Sequence, residues 1–228
     1  MSGLDWQRIL EDLDARGFAT AEGVLSPDEC KKIAALYDEP DRFRSHVVMR
    51  RHAYGEGEYQ YLAYPLPDPV QKLRSAAYPH LAPLANIWAE RMGWAERFPA
   101  EHEDWLATCA AAGQTRPTPL ILRYEAGGYN RLHQDLYGDL WFPIQMAVML
   151  SDPSEYEGGD FLLTEGRARM QSRGESVRLQ QGEAIIFAVN QRPVPSARGY
   201  SRATMRHGVS TLRSGKRMTL GVIFHDAR

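Results

Sequence analysis

Cysteine is nearly absent from this chain: its 228 residues hold two, Cys30 and Cys109. Two thiols cannot staple a disulfide scaffold, and no pair has the spacing of a structural zinc site. Long hydrophobic runs are missing too. None approaches the roughly 20 apolar residues that a membrane helix needs. The opening segment MSGLDWQRIL has no basic-then-apolar leader. These absences predict a reduced, cytoplasmic protein with buried thiols and no membrane partner. There is no internal repeat and no low-complexity linker. A hydrophobic fraction of 43% and a charged fraction of 25% belong to an ordinary globule. The length suits one large β domain with flanking helices.

The net charge of −2 hides an uneven distribution. Residues 1–160 carry 25 acids against 15 Lys plus Arg, whereas residues 161–217 carry 11 Lys plus Arg against only Glu165, Glu175 and Glu183. Arg167, Arg173, Arg192, Arg198, Arg202 and Arg206 belong to this basic segment. It reads as solvated strand and loop faces, or as a positive rim for an anionic substrate, nucleic acid included. Tyr129, Tyr137, Trp141 and Tyr200 are the nearest stacking candidates, and packing accounts for them equally well.

The first third reads as helical. Trp6, Ile9, Leu10 and Leu13 share one face of a helix that Gly17 ends. Ser26-Pro27-Asp28-Glu29 is a capping box with proline at the first helical position. Short strands are expected over Phe18–Val24, Ser45–Met49 and Gln60–Tyr64. A longer helix follows Pro69 to about Met92, with a break at Pro79 or Pro83. Another covers Glu101 to Ala112. From residue 118 onward, apolar strands alternate with turn signals such as Glu157-Gly158-Gly159-Asp160 and Gln181-Gly182-Glu183.

Four residues in this second half carry chemistry. His133 and Asp135 lie at i and i+2, which on a strand places both on one face. His207 comes from a later strand. Two imidazoles and one carboxylate occupy three adjacent positions on Fe(II) and leave the opposite face open. Arg217 opens the apolar run RMTLGVIF, with Thr219 on the same face. A guanidinium with a hydroxyl two residues on is a receptor for a carboxylate.

Tyr124-Glu125-Ala126-Gly127, His133-x-Asp135, the two glycine turns, His207 and Arg217 resemble the pattern of the Fe(II)/2-oxoglutarate dioxygenases, in the style of their prolyl-hydroxylase-like branch. The resemblance covers roughly residues 118 to 226. More closely, YNRLHQDLYG, FAVNQRPV, RHGVS and LGVIFHDA look like a bacterial oxygenase family described as acting oxidatively on damaged nucleic acid.

The resemblance implies a distorted double-stranded β-helix, or jelly roll, mainly β with flanking helices. Residues 1–228 would form a single domain: a mostly helical buttress with short strands over 1–117, and the catalytic core over 118–226. His133, Asp135 and His207 would bind iron. Arg217 would bind the far carboxylate of 2-oxoglutarate, helped by Thr219 and Tyr124. The cosubstrates would be 2-oxoglutarate and dioxygen, with ascorbate as an optional reductant. The reaction would hydroxylate a substrate C–H, or demethylate oxidatively, with release of succinate and carbon dioxide. Damaged nucleic acid, a prolyl-hydroxylase-like protein target and a small molecule remain open as substrates. A cupin-like metal-binding sensor without oxygenase activity is the alternative of another class. The segment Gln191–Arg202 and residues 50–60 are candidate lids. His225 lies too far along its strand to share the metal, and His46, His52, His80 and His102 have no ligand partner at a sensible spacing.

Overall fold

The computed structural model describes residues 3–228. In chain order its strands are β1 (Phe18–Ala21), β2 (Phe43–Val48), β3 (Gly55–Glu56), β4 (Glu58–Leu62), β5 (Leu120–Glu125), β6 (Tyr129–His133) and β7 (Ile144–Met149), then β8 (Tyr156–Gly158), β9 (Phe161–Arg167), β10 (Arg173–Val177), β11 (Ala184–Ala188), β12 (Gln191–Ser196), β13 (Gly199–Val209) and β14 (Leu212–Val222). The helices are α1 (Trp6–Arg16), α2 (Pro27–Ala35), α3 (Asp68–Met92) and α4 (His102–Ala111). No helix among the described residues is long and apolar enough to cross a membrane.

The strands form two antiparallel sheets, as the jelly roll requires. The larger has the order β1-β11-β7-β14-β5-β4-β2, with β8 beside β14. The smaller has the order β10-β9-β13-β6-β3, with β12 beside β13. The first half of the chain is therefore more than a helical support, because β1 to β4 extend both sheets.

Period-two alternation sets the inner face of the large sheet. Opposed pairs are Arg217–Tyr124, Thr219–Leu122 and Gly221–Ala147. Phe187–Gln145 and Tyr59–Leu122 continue the row on both sides. The small sheet answers with His133–His207, Leu163–His207 and Phe161–Val209.

The local signals at the chain's start act as expected. Asp5 caps α1, and Gly17 closes it in the left-handed conformation. The Ser26–Glu29 capping box opens α2. The expected break at Pro79 or Pro83 does not occur, and α3 runs through both. The two prolines lie on its exposed side. The carbonyls they leave unpaired can be solvated there, while Leu73, Tyr78, Leu81 and Trp88 hold the opposite side in the core.

Gln191–Arg202 is not a lid loop either. It forms the β12–β13 hairpin, with Gln191 opposite Thr204 and Ser196 opposite Gly199. Arg192 is buried within it. Its guanidinium donates to the carbonyls of Asp14 and Ala15 at the end of α1 and is neutralised by Glu165 at 2.6 Å. This arginine of the basic segment is structural.

Candidate functional site

One cavity of about 600 Å³ opens between the sheets, and its walls include His133, Asp135, His207, Tyr124, Arg217 and Thr219. All six residues singled out in the sequence meet there. His133 ends β6 and His207 lies opposite it on β13, with ring centroids 4.2 Å apart. The register slips between His207 and Val209, where a Cβ on Gly208 would come within 2.7 Å of the Asn130 carbonyl oxygen. Glycine there lets β13 bulge beside the histidine.

Asp135 differs from the expectation. It lies beyond the end of β6, in an irregular segment. Its carboxylate still turns back between the two rings. Oδ1 is 3.4 Å from His133 Nε2, and Oδ2 is 3.3 Å from His207 Nε2. One donor atom from each residue lies within 4.8 Å of the others. The His133 Nδ1 sits 2.7 Å from the Arg131 carbonyl oxygen. Only an N–H can face a carbonyl, so the proton stays on Nδ1 and the Nε2 lone pair points inward.

Charge reinforces this arrangement. Burial alone raises the pKa of Asp135, but its bonds to both rings and their charges outweigh burial and hold it well below the usual range. Burial, then the neighbouring His133, lowers the pKa of His207. Burial also opposes the charge on His133, yet the bonded carboxylate raises its pKa. An ionised carboxylate between two imidazoles calls for a positive charge at their centre, and a divalent ion meets that demand.

Two residues missed in the sequence hold Asp135 from behind. Tyr137 donates its hydroxyl to Oδ1 at 2.7 Å, and Gln145 donates its amide to Oδ2 at 3.0 Å. No local signal marked Gln145, which sits in the apolar run of β7. Tyr137, read as a stacking candidate, was visible only by its place in YNRLHQDLYG. Trp141 packs edge-on against Trp94, and the Arg91 guanidinium lies over the Tyr200 ring.

Arg217 stands mid-strand on β14 and does not open it, as the sequence suggested. It is 1% exposed. Nη1 donates to Thr219 Oγ1 at 2.8 Å, while Nε and Nη2 have no partner. The Tyr124 hydroxyl beside it is also buried and unpaired. Burial presses the pKa of Arg217 down, but arginine stays charged in proteins. Gly159, at φ +67°, makes room for its stem, since a Cβ there would come 2.9 Å from Arg217 Cδ. The cavity therefore holds a cation with open donors, as an anion receptor would.

The mouth is apolar and basic. Tyr54, Leu132 and Leu136 are each more than 40% exposed there, and Arg131 adds an exposed cation. Of the two candidate lids, only residues 50–60 reach the cavity, through Ala53, Tyr54 and Tyr59.

Comparisons place these observations among known proteins. Residues 57–227 match the model of a family described as "Oxygenase, catalysing oxidative methylation of damaged DNA". Two proteins of Mycobacterium tuberculosis, from strains CDC 1551 / Oshkosh and ATCC 25618 / H37Rv and both described as uncharacterised, are 49% identical over 164 residues, covering 72% of this chain and 70% of theirs. A prolyl-4-hydroxylase of Pseudomonas putida has the same fold, with a TM-score of 0.58 at 16% identity over 98% of this chain and 99% of its own. An oxidoreductase of the 2OG-Fe(II) oxygenase family from Burkholderia pseudomallei gives 0.52 at 13% identity, over 97% and 92% of the two chains. The family match spans most of the chain, so the protein is a member of this oxygenase family, built on the fold of the 2OG-Fe(II) oxygenases.

Proposed function

We propose that the cavity binds Fe(II) and 2-oxoglutarate and hydroxylates a substrate C–H with dioxygen. His133 and His207 hold the metal through Nε2, and Asp135 holds it through its carboxylate. The donor set fits: two lone pairs and one anion converge from one side and leave the other side to ligands. Arg217 receives the far carboxylate of 2-oxoglutarate, and the hydroxyls of Thr219 and Tyr124 complete the receptor. The iron, when bound, activates dioxygen so that one oxygen atom enters succinate as carbon dioxide leaves and the other enters the substrate. The chain's own residues do the rest. Tyr137 and Gln145 steady Asp135, while Leu120, Leu122 and Phe161 keep the walls dry.

Arg217 is the observation that carries this reading. A buried guanidinium with two open nitrogens is costly unless an anion meets it. A metal-binding sensor without a cosubstrate would leave those donors idle. Ascorbate is a candidate reductant for the iron. A reducing, cytoplasmic setting suits the two free, buried cysteines.

Damaged nucleic acid is the substrate we favour. The family description points there, and the mouth pairs Tyr54 and two leucines with the exposed Arg131. Such a surface suits a base and its phosphates. Oxygen insertion supplies no methyl group, so the expected direction is removal: a hydroxylated N-methyl carbon breaks from nitrogen as formaldehyde. A peptide substrate is the second reading, favoured by a fold neighbour from Trichoplax adhaerens, a prolyl hydroxylase in complex with a hypoxia-inducible-factor peptide fragment.

The test is succinate release from 2-oxoglutarate with Fe(II) under air, run with alkylated single-stranded DNA and with a peptide library. Stimulation by the alkylated DNA supports the favoured substrate, and stimulation by peptides alone replaces it. Absence of any 2-oxoglutarate turnover overturns the oxygenase assignment of the site.

A further inference from the structure

One unpaired atom in the cavity differs in kind from its neighbours. The cavity lining holds five buried polar atoms without partners: Tyr124 Oη, Arg217 Nε and Nη2, His207 Nδ1 and Gln145 Oε1. Arg217 offers donors only, the Tyr124 hydroxyl can donate, and His207 Nδ1 carries a proton when its Nε2 faces a metal. These are complements to an anion or a carbonyl. Gln145 Oε1 is the exception, an atom that can only accept.

The orientation of this amide is fixed by chemistry. Its other end lies 3.0 Å from Asp135 Oδ2, and a carboxylate that serves as a metal ligand has no proton to give. A carboxylate accepts only, so the amide must present Nε2 to it and keep Oε1 free. Gln145 is 5% exposed, on the inner face of β7, with Ala147 two residues on along the same wall. Burial denies Oε1 ordinary solvent, and an unmade bond there is costly. Nothing in the cosubstrates relieves it. 2-Oxoglutarate at neutral pH carries only acceptors, and dioxygen has no proton to give. A substrate N–H or O–H is the donor that would relieve it.

We propose that Gln145 is a specificity-determining residue, its amide anchored on Asp135 so that Oε1 selects substrates with an N–H or O–H donor beside the carbon to be oxidised. The inference rests on the oxygenase reading of the cavity. For a methylated base it favours a secondary amine, which keeps one N–H, over a tertiary amine, which has none. Gln145 thereby links the substrate to a ligand of the metal, because a donor on Oε1 polarises the amide and strengthens its bond to Asp135.

The experiment uses the Mn(II)–2-oxoglutarate form of the full chain, which binds without turning over. The probes are fluorescent single-stranded DNAs carrying one N6-methyladenine or one N6,N6-dimethyladenine, with the unmodified strand as reference, read by anisotropy. Gln145→Met removes the acceptor and the anchor in a similar shape. Tyr137→Phe also loosens Asp135 but leaves Oε1 in place. Mn(II) affinity, measured by electron paramagnetic resonance, should fall for both variants, by about tenfold or more.

The wild type should prefer the monomethyl strand by about tenfold. Tyr137→Phe should keep that preference, and Gln145→Met should lose it. A Gln145 that only steadied Asp135 would make the two variants behave alike, which overturns the proposal. So does a wild type that binds both methylated strands equally, as when a water occupies Oε1, while their binding above the unmodified strand leaves the nucleic-acid reading standing. If neither methylated strand binds better than the unmodified one, the nucleic-acid reading fails instead. N-methylacetamide and N,N-dimethylacetamide, read through the Mn(II) spectrum, then decide: a preference for the first that Gln145→Met abolishes upholds the acceptor role, and equal effects or none reject it.

Discussion

Arg74 and Arg217 are both removed from solvent, yet their surroundings differ in kind. Arg74 of α3 spends every nitrogen. It donates to the carbonyls of Ile223 and His225 at 2.8 and 3.0 Å, to the hydroxyls of Tyr64 and Thr118, and to Asp226 at 2.8 Å. It ties the chain's end to the long helix and asks for nothing more. Arg217 has one bond and two open nitrogens. A charge fully paired inside the fold belongs to stability, and one left half-paired in a cavity awaits a ligand.

The contrast can be broken by substitution. The largest effect belongs to the triad next to Arg217: His207→Ala should lower succinate release by about a thousandfold or more, because two donors cannot hold the metal in place. Activity retained by that variant would remove His207 from the ligand set. Arg74→Ala should cost about 3–5 kcal/mol in urea unfolding, since it strands Asp226 and two carbonyls. Arg217→Ala should behave in the opposite way. Its 2-oxoglutarate KM should rise about a hundredfold, with Mn(II) affinity near normal and stability equal or higher. Equal loss of metal binding would count against its assigned role. 2-Oxoglutarate should also raise the melting temperature of the metal-loaded wild type and leave that of Arg217→Ala unmoved.

The smallest effect sharpens the Arg74 side. Burial, then the charge of Arg74, lowers the pKa of His102 to about 4 and that of His225 to about 3. Both rings are neutral in the fold but take a proton when unfolded, near pH 6.5. Between about pH 6.5 and 4 the unfolded chain binds more protons, so stability is full above that window and falls as the pH drops through it. Each ring should account for roughly 1–2 kcal/mol between pH 7.5 and 5. Urea midpoints at the two pH values measure this, and a His102→Phe variant with an unchanged slope would exclude His102 as a source.

Much of the molecule was legible because its signals are local. The Ser26 capping box, Gly17 and the Gly158-Gly159 turn act within a few residues, and the structure keeps them. The strands around residues 120, 161, 184 and 217 were readable from apolar runs between turns. Where reading failed, a distant partner had intervened. Pro79 and Pro83 did not break α3, because packing of the buried side outweighs two lost backbone bonds on the wet side. Polar Gln191–Arg202 became a hairpin because β13 pairs with it, and Arg192 became a helix cap because α1 ends against it.

The sequence alone settled which residue types are available for chemistry: His133 and Asp135 two apart, His207, and Arg217 with Thr219. That much is covalent order, and the chemistry of imidazole, carboxylate and guanidinium does not depend on the fold. Only the tertiary structure decided that Tyr137 and Gln145 would grip Asp135, that Tyr124 would face Arg217, and that one amide oxygen would be left to accept. Those facts are distances across two sheets, set by strand register and packing, and no local stretch of sequence contains them.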